Sequence, residues 1–326
     1  MLETPVVLMI FNRPDTTERV FTEIAKAKPR VLLVVADGPR AGRADEAGRC
    51  AAAREVVDRV DWKCDVLTNY SDVNLGCGRR VATGLSWVFE HVDAAIILED
   101  DCVPDPTFFT FCTELLEKYR DDERVMHVGG SGFQFGRTQR RFSYFFARNY
   151  PSWGWATWRR AWRHYDLEIR LWPELRDTDW LLDITDDARV IDHWRAMFDR
   201  AYAVVDHVNT WDFQWTFACW VQNGLSVLPH GTLVSNIGFR EDATHTRGAS
   251  DPIANLQTVP MSFPLYHPPC VLRDREADRA FVDNVLVPYL GPRPNVYRRF
   301  RERCLSVLPA SIRTSISTAK SLLRPG

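Results

Sequence analysis

The run Ala94-Ala-Ile-Ile-Leu-Glu-Asp-Asp-Cys102 is apolar and then stops on three consecutive carboxylates, Glu99, Asp100 and Asp101. That pattern predicts a buried parallel strand whose C-terminal end opens at a site, because open α/β sheets bind ligands there. Three adjacent anions repel one another unless something cationic sits among them. A hard divalent ion, Mn²⁺ or Mg²⁺, meets that need, since it takes one or two protein carboxylates and completes its shell with phosphate oxygens and water. An acidic turn capping the following helix is the alternative.

Polar residues recur wherever an earlier apolar run ends. Asn12 and Arg13 follow Val6 to Phe11, Asp37-Gly-Pro follows Val31 to Ala36, and Asn74-Leu-Gly-Cys-Gly-Arg-Arg80 follows Cys64 to Thr68. Arg13 could meet a phosphate or a base, Asp37 could accept from a base N–H, and Gly76 and Gly78 would let backbone approach a ligand closely. Each also has a local reading as a turn.

The elements that must position these groups alternate. Asp15-Thr-Thr-Glu18 has capping-box spacing ahead of an amphipathic segment through Val20, Phe21 and Ile24; helical stretches around Ala51 to Val60 and over 78–91 separate the later runs. Strands with helical crossovers predict a mostly parallel, Rossmann-related sheet with flanking helices. With 326 residues, 45% hydrophobic and 26% charged, the chain can bury a full core. The net charge of -2 argues against a nucleic-acid partner. Eight scattered cysteines without a CxxC pair indicate neither a zinc site nor a disulfide framework, which suits reduced thiols in a cytoplasm. No signal-like or membrane-spanning run is evident, so a cytoplasmic protein, peripheral on the inner membrane at most, is expected.

The second half is rich in tryptophan. Pro151-Ser-Trp-Gly-Trp-Ala-Thr-Trp158 and Thr210-Trp-Asp-Phe-Gln-Trp215 supply flat apolar rings on which sugar faces stack. Most of the twelve tryptophans must be core, with Trp153, Trp155 and Trp211 the candidates for a site wall. Asp212 sits between Trp211 and Phe213 at the start of a predicted helix. It is either an N-cap or a general base whose aromatic surroundings raise its pKa into a useful range. The polar loop from Ser235 to Arg247 offers Arg240 and Arg247 for phosphate and His245 for a metal shell or diphosphate, with solvated loop residues as the alternative.

The ordered set Phe11-Asn-Arg-Pro14, Asp37-Gly, Asn74-Leu-Gly-Cys-Gly78 and Glu99-Asp-Asp101 resembles the GT-A class of nucleotide-sugar glycosyltransferases, close to its family 2 group. The acid tripeptide is a variant of that class's Asp-x-Asp metal motif, with Glu in place of the first Asp. By that resemblance Asp101 would ligate the metal, His245 could complete its shell as a C-terminal-side His does in several such enzymes, and Glu99 and Asp100 would contact the donor's ribose or sugar. Gly154-Trp155 followed by Trp211-Asp212 and Trp215 partly resembles the inverting N-acetylglucosaminyltransferases that begin complex N-glycans, in which the matching Asp is the base.

The resemblance implies a GT-A-like α/β fold divided into a nucleotide-sugar-binding part (1–130), an acceptor-binding and catalytic part of the same domain (131–290), and a tail (291–326). The implied activity is metal-dependent, inverting transfer of a hexose or N-acetylhexosamine from a nucleotide-diphosphate sugar, UDP-sugar favoured, to a glycan or lipid-linked acceptor. Asn12, Arg13, Asp37, Asn74, Arg79, Glu99, Asp100 and Trp155 would bind donor, Trp153 and Trp211 acceptor, and Asp212 would be the base. A sugar nucleotidyltransferase, which would carry a glycine-rich loop after the first strand, and an inactive carbohydrate-binding relative are the alternatives. The tail holds eight basic side chains against one acid, Glu302. It reads as a basic amphipathic helix broken at Pro309, lying on an anionic membrane surface or packed on the domain.

Overall fold

Branched and leucine-rich runs become strands where the sequence places them, with a helix after each. In a computed structural model describing residues 1–135, 141–203, 210–239, 253–287 and 290, the first half runs β1 (Val6–Ile10), α1 (Pro14–Ala27), β2 (Val31–Ala36), α2 (Glu46–Glu55), β3 (Asp65–Tyr70), α3 (Cys77–His91) and β4 (Ala94–Glu99). These four strands are parallel in the order β3-β2-β1-β4. Along β1 the side chains divide by parity: Val6, Leu8 and Ile10 join the core on one face of the sheet, Val7 and Met9 the core on the other. Both faces are covered, so the strand can be apolar throughout.

The chain continues through β5 (Cys102–Pro104), α4 (Pro106–Lys118), β6 (Val125–Gly129), β7 (Tyr144–Ala147), β8 (Trp155–Trp158), α5 (Arg159–Trp162), α6 (Trp172–Leu175), α7 (Ala188–Ala203), α8 (Asp212–Val221), β9 (Leu225–Pro229), β10 (Val234–Asn236) and α9 (Arg275–Phe281). Four of these strands extend the sheet to eight in the order β3-β2-β1-β4-β8-β6-β9-β7, while β5 and β10 form a separate antiparallel pair. Only β8 and β7 run against the rest, giving a mostly parallel mixed sheet of Rossmann-like character.

Two expectations change. The capping box at Asp15 to Glu18 does not form, because α1 begins a residue earlier with Pro14 at its first position, where a missing N–H costs nothing. The Trp155-Ala-Thr-Trp158 segment is a central strand between β4 and β6, with Ile97 opposite Trp155 and Ala95 opposite Thr157. Among the described residues no helix is long and apolar enough to cross a membrane. The C-terminal tail lies outside the described residues.

Candidate functional site

The chain leaves β1 outward to β2 and β3, then returns to place β4 on the other side of β1. Such a reversal opens a crevice at the carboxyl ends of the two central strands. A cleft of about 410 Å³ lies there, reached by Phe11 and Arg13 after β1, Glu99 to Asp101 after β4, and Trp153, Trp211 and Asp212 from the second half. Two of these segments supply acids, and Asp37 after β2 adds a third to the same lining. The half-buried Cys77 thiol, itself at the cleft lining, registers this: it is pushed well up by desolvation and then by the charges of Glu99, Asp212, Asp101 and Asp37.

At the end of β4 the three carboxylates are crowded around one guanidinium. Arg13 Nη2 lies 2.5 Å from Asp100 Oδ1 and 2.9 Å from Asp101 Oδ2. Asp100 also accepts the Phe11 N–H at 3.2 Å, tying β4 to the exit of β1. Burial first, then repulsion by Asp101 and Asp100, pushes the Glu99 carboxyl up to about 8. Burial raises Asp100 as well, against the opposing pull of Arg13. One guanidinium is too little positive charge for three acids, and oxygen donors of this kind suit a hard divalent ion. Among the described residues no three His, Cys, Asp or Glu side chains form a ready metal group. Asp101, at the cleft lining, is a carboxylate that could take part in holding such an ion.

Backbone packs tightly over Asp101. The Ile237 N–H donates to the Asp101 carbonyl at 2.9 Å, and a Cβ added to Gly238 would stand 2.0 Å from Asp101 Oδ2. Only glycine lets the segment after β10 pass here. The same segment leads to Arg240, His245 and Arg247, which lie outside the described residues.

Asp37 departs from its expected role. Its Oδ1 accepts from Gly38 N (2.9 Å) and Leu75 N (2.8 Å), and its Oδ2 from Asn74 Nδ2 (3.0 Å) and Gly76 N (3.0 Å). A carboxylate has about four lone-pair sites, so no acceptor capacity is left for a base N–H. Asp37 instead holds the loop that delivers Gly76, which enters α3 at φ 78°. The Asn74 amide nitrogen is likewise taken up by Asp37 and by the Gly38 carbonyl.

Two other donor-binding expectations are corrected. Asn12 is buried outside the cleft lining and donates to Glu46 Oε1 at 2.9 Å. Arg79 is exposed and does not line the cleft. Its neighbour Arg80 does, because helical spacing puts Cys77, Arg80 and Val81 on one face of α3. Arg80 is held by the carbonyl and side-chain oxygens of Asn69. The cleft also takes in Arg40, paired to the buried Glu46 through Nε and Nη2, with its guanidinium 5.5 Å from the Phe11 ring centre. The Arg40 hydrogen bonds hold Glu46 down to about 2.

On the aromatic side, Trp155 is fully buried on β8, stacked between His127 (5.2 Å between ring centres) and Trp211 (5.3 Å). A central strand flanked on both sides leaves no face for a donor, so Trp155 is core. Trp211 caps this stack and lines the cleft. Trp153, half-buried, also lines it, packed edge-on against Phe133 and Phe239 at 5.4 Å each.

Asp212 opens α8 as its first helical residue, with Trp211 in the capping position and no side-chain cap. The N-cap reading is thereby excluded. The Thr210 hydroxyl and the Phe213 N–H (3.1 Å) both donate to Asp212 Oδ1. Oδ2 takes no hydrogen bond among the described residues, and the side chain borders the cleft. One oxygen fixed and one open is the arrangement of a carboxylate positioned to accept a proton.

Arg40 and Glu46 escape a reading by strand-end motif; Arg80 lies inside the run Asn74 to Arg80 and Asn236 and Gly238 inside the polar loop from Ser235, but only the helical spacing from Cys77 distinguishes Arg80 from Arg79. Compared with known proteins, the chain matches no family model and no curated sequence.

Proposed function

We propose that the protein is a metal-dependent, inverting glycosyltransferase with a GT-A-like fold, moving a sugar from a nucleotide-diphosphate sugar to a glycan or lipid-linked acceptor. The observation that carries this reading is the meeting, in one cleft, of the strand-end carboxylates with a singly anchored Asp212 from the second half. Transfer between sugars needs charge stabilisation on one side of the anomeric carbon and a base on the other.

In this reading Asp101, with a phosphate oxygen, would hold Mn²⁺ or Mg²⁺, which when bound offsets charge developing on the diphosphate leaving group, while Glu99 and Asp100 would meet the donor's ribose or sugar. Arg13 adds a fixed positive charge beside the same oxygens. Trp153 and Trp211 offer faces for the acceptor ring. Asp212 takes the acceptor hydroxyl proton through Oδ2 as that oxygen attacks, while Thr210 and Phe213 hold Oδ1 in place. A single displacement inverts the anomeric centre and requires no second nucleophile.

A panel of nucleotide sugars screened for Mn²⁺-dependent hydrolysis tests the reading. We expect one or a few donors, UDP-sugars foremost, to be cleaved to the nucleoside diphosphate only with the metal. Release of pyrophosphate from a nucleoside triphosphate and sugar phosphate, with no donor hydrolysis, would show a nucleotidyltransferase instead.

A further inference from the structure

We propose that Arg13 is a latch on the cation site: it occupies Asp101 in the free protein, gives up that carboxylate when a divalent ion binds, and turns toward the donor's diphosphate while Asp100 retains it. The inference rests on the donor reading above and goes beyond it by coupling metal and donor binding through one side chain.

The geometry of the contact supports a latch over a structural brace. Both carboxylates are engaged through the single nitrogen Nη2. A guanidinium placed as a brace uses a fork of two nitrogens, as Arg40 does on Glu46 with Nε and Nη2. The two acids also differ. Both border the cleft, but Asp100, with its side chain 4% exposed, is tied to the Phe11 N–H as well as to Arg13, whereas the Asp101 side chain is 11% exposed and besides Arg13 meets the Cys102 thiol at 3.5 Å.

Asp101 cannot readily turn away to receive a metal elsewhere. Its backbone is held by Ile237, and Gly238 passes so near Oδ2 that no side chain would fit between them. The partner able to move is Arg13, whose side chain is 21% exposed at the cleft lining. A divalent ion and a guanidinium beside the same carboxylate oxygen repel each other, so occupancy by one opposes the other. Freed from Asp101 but still paired with Asp100, the guanidinium remains at the cleft, where a diphosphate offers acceptors matching its N–H groups.

Two effects of opposite sign follow from removing Arg13. Mn²⁺ without nucleotide should bind more tightly, since nothing competes for Asp101. UDP in saturating Mn²⁺ should bind less tightly, since the displaced guanidinium is missing. A mere electrostatic brace would weaken both through disorder at the carboxylates.

The experiment is Mn²⁺ binding to the full chain, followed by electron paramagnetic resonance of the free ion, for wild type, Arg13→Gln and Arg13→Lys, with UDP titrated calorimetrically in parallel. We expect Mn²⁺ affinity without nucleotide to rise about tenfold in Arg13→Gln and UDP affinity to fall by a similar factor, the ordinary scale of a coupling free energy. Arg13→Lys, which keeps the charge without reaching both acids equally, should lie between and serves if Arg13→Gln does not fold. Mn²⁺ affinity unchanged or lowered in the variants overturns the latch alone. A wild-type protein that binds Mn²⁺ neither by itself nor with UDP overturns the donor reading together with it.

Discussion

The strand-end side of the cleft and its aromatic side solve the same problem of rigidity by different physics. At the ends of β1 and β4, like charges are held together against their repulsion by one arginine, one backbone N–H and a glycine that admits no side chain. Around Trp155, the positions are fixed by stacked rings with no charge at all, ending in Trp211 at the cleft. The first arrangement sets like charges against one another around a single guanidinium. The second is a packed core that stays as it is. The difference teaches that a site can keep its responsive groups on one side and its fixed platform on the other, with Asp212 at the boundary.

The largest effect that would separate the two sides is on stability. Trp155→Ala should cost about 3–5 kcal/mol, as removal of a fully buried Trp does, and should lower the melting temperature sharply. Trp153→Ala should cost much less and raise the acceptor KM. Equal thermal stability for the two variants would make Trp155 a wall residue after all.

Next comes chemistry without stability. Asp212→Asn should retain donor binding and the wild-type melting temperature while transfer slows by roughly 10²-fold or more, the scale of a lost general base. Single-turnover transfer near the wild-type rate would leave the proposed mechanism without its base.

Gly238→Ala sharpens the contrast from the electrostatic side. The new methyl would meet Asp101 Oδ2, and forcing the two apart should cost on the order of 1–3 kcal/mol, felt in Mn²⁺-dependent UDP affinity. Unchanged affinity would mean that the backbone over Asp101 is not closely held.

A further effect is on pH dependence and belongs to the aromatic side. Burial depresses His127 from its ordinary 6.5 to about 3, and its Nδ1 accepts from Trp215 Nε1 at 3.2 Å. Between those pH values the unfolded chain binds the proton and the folded one does not, so stability should fall as pH drops from 6.5 toward 3. The slope from this group approaches about 1.4 kcal/mol per pH unit. His127→Asn, which keeps an acceptor for Trp215, should flatten that slope in acid denaturation series.

Much of the electrostatic side was legible in the sequence because strand-end geometry preserves sequence adjacency: residues just after an apolar run must emerge at the edge of the sheet. Arg13, Glu99, Asp100 and Asp101 were found in this way. Local hydrogen bonding was not legible. Asp37 and Asn12 stand at strand ends too, yet their polar atoms turn inward to Gly38, Leu75, Gly76 and Glu46, pairings that the sequence does not reveal. The aromatic side was harder to read because a tryptophan pattern is compatible with either a core or a wall. Only the insertion of β8 between β4 and β6 decides that Trp155 is the one and Trp153 the other. Arg79 and Arg80 show a third kind of loss: adjacent residues on a helix face different ways, and the phase is set by where α3 begins.

Whether the strand-end acids bind a metal-bearing donor is tested most directly by calorimetric titration of UDP with Mn²⁺ into wild type and Asp101→Asn, with circular dichroism to confirm a common fold. Mn²⁺-dependent binding is expected for the wild type, and its loss at an unchanged melting temperature for Asp101→Asn. Wild-type affinity in the Asp101→Asn protein with metal present would contradict that expectation.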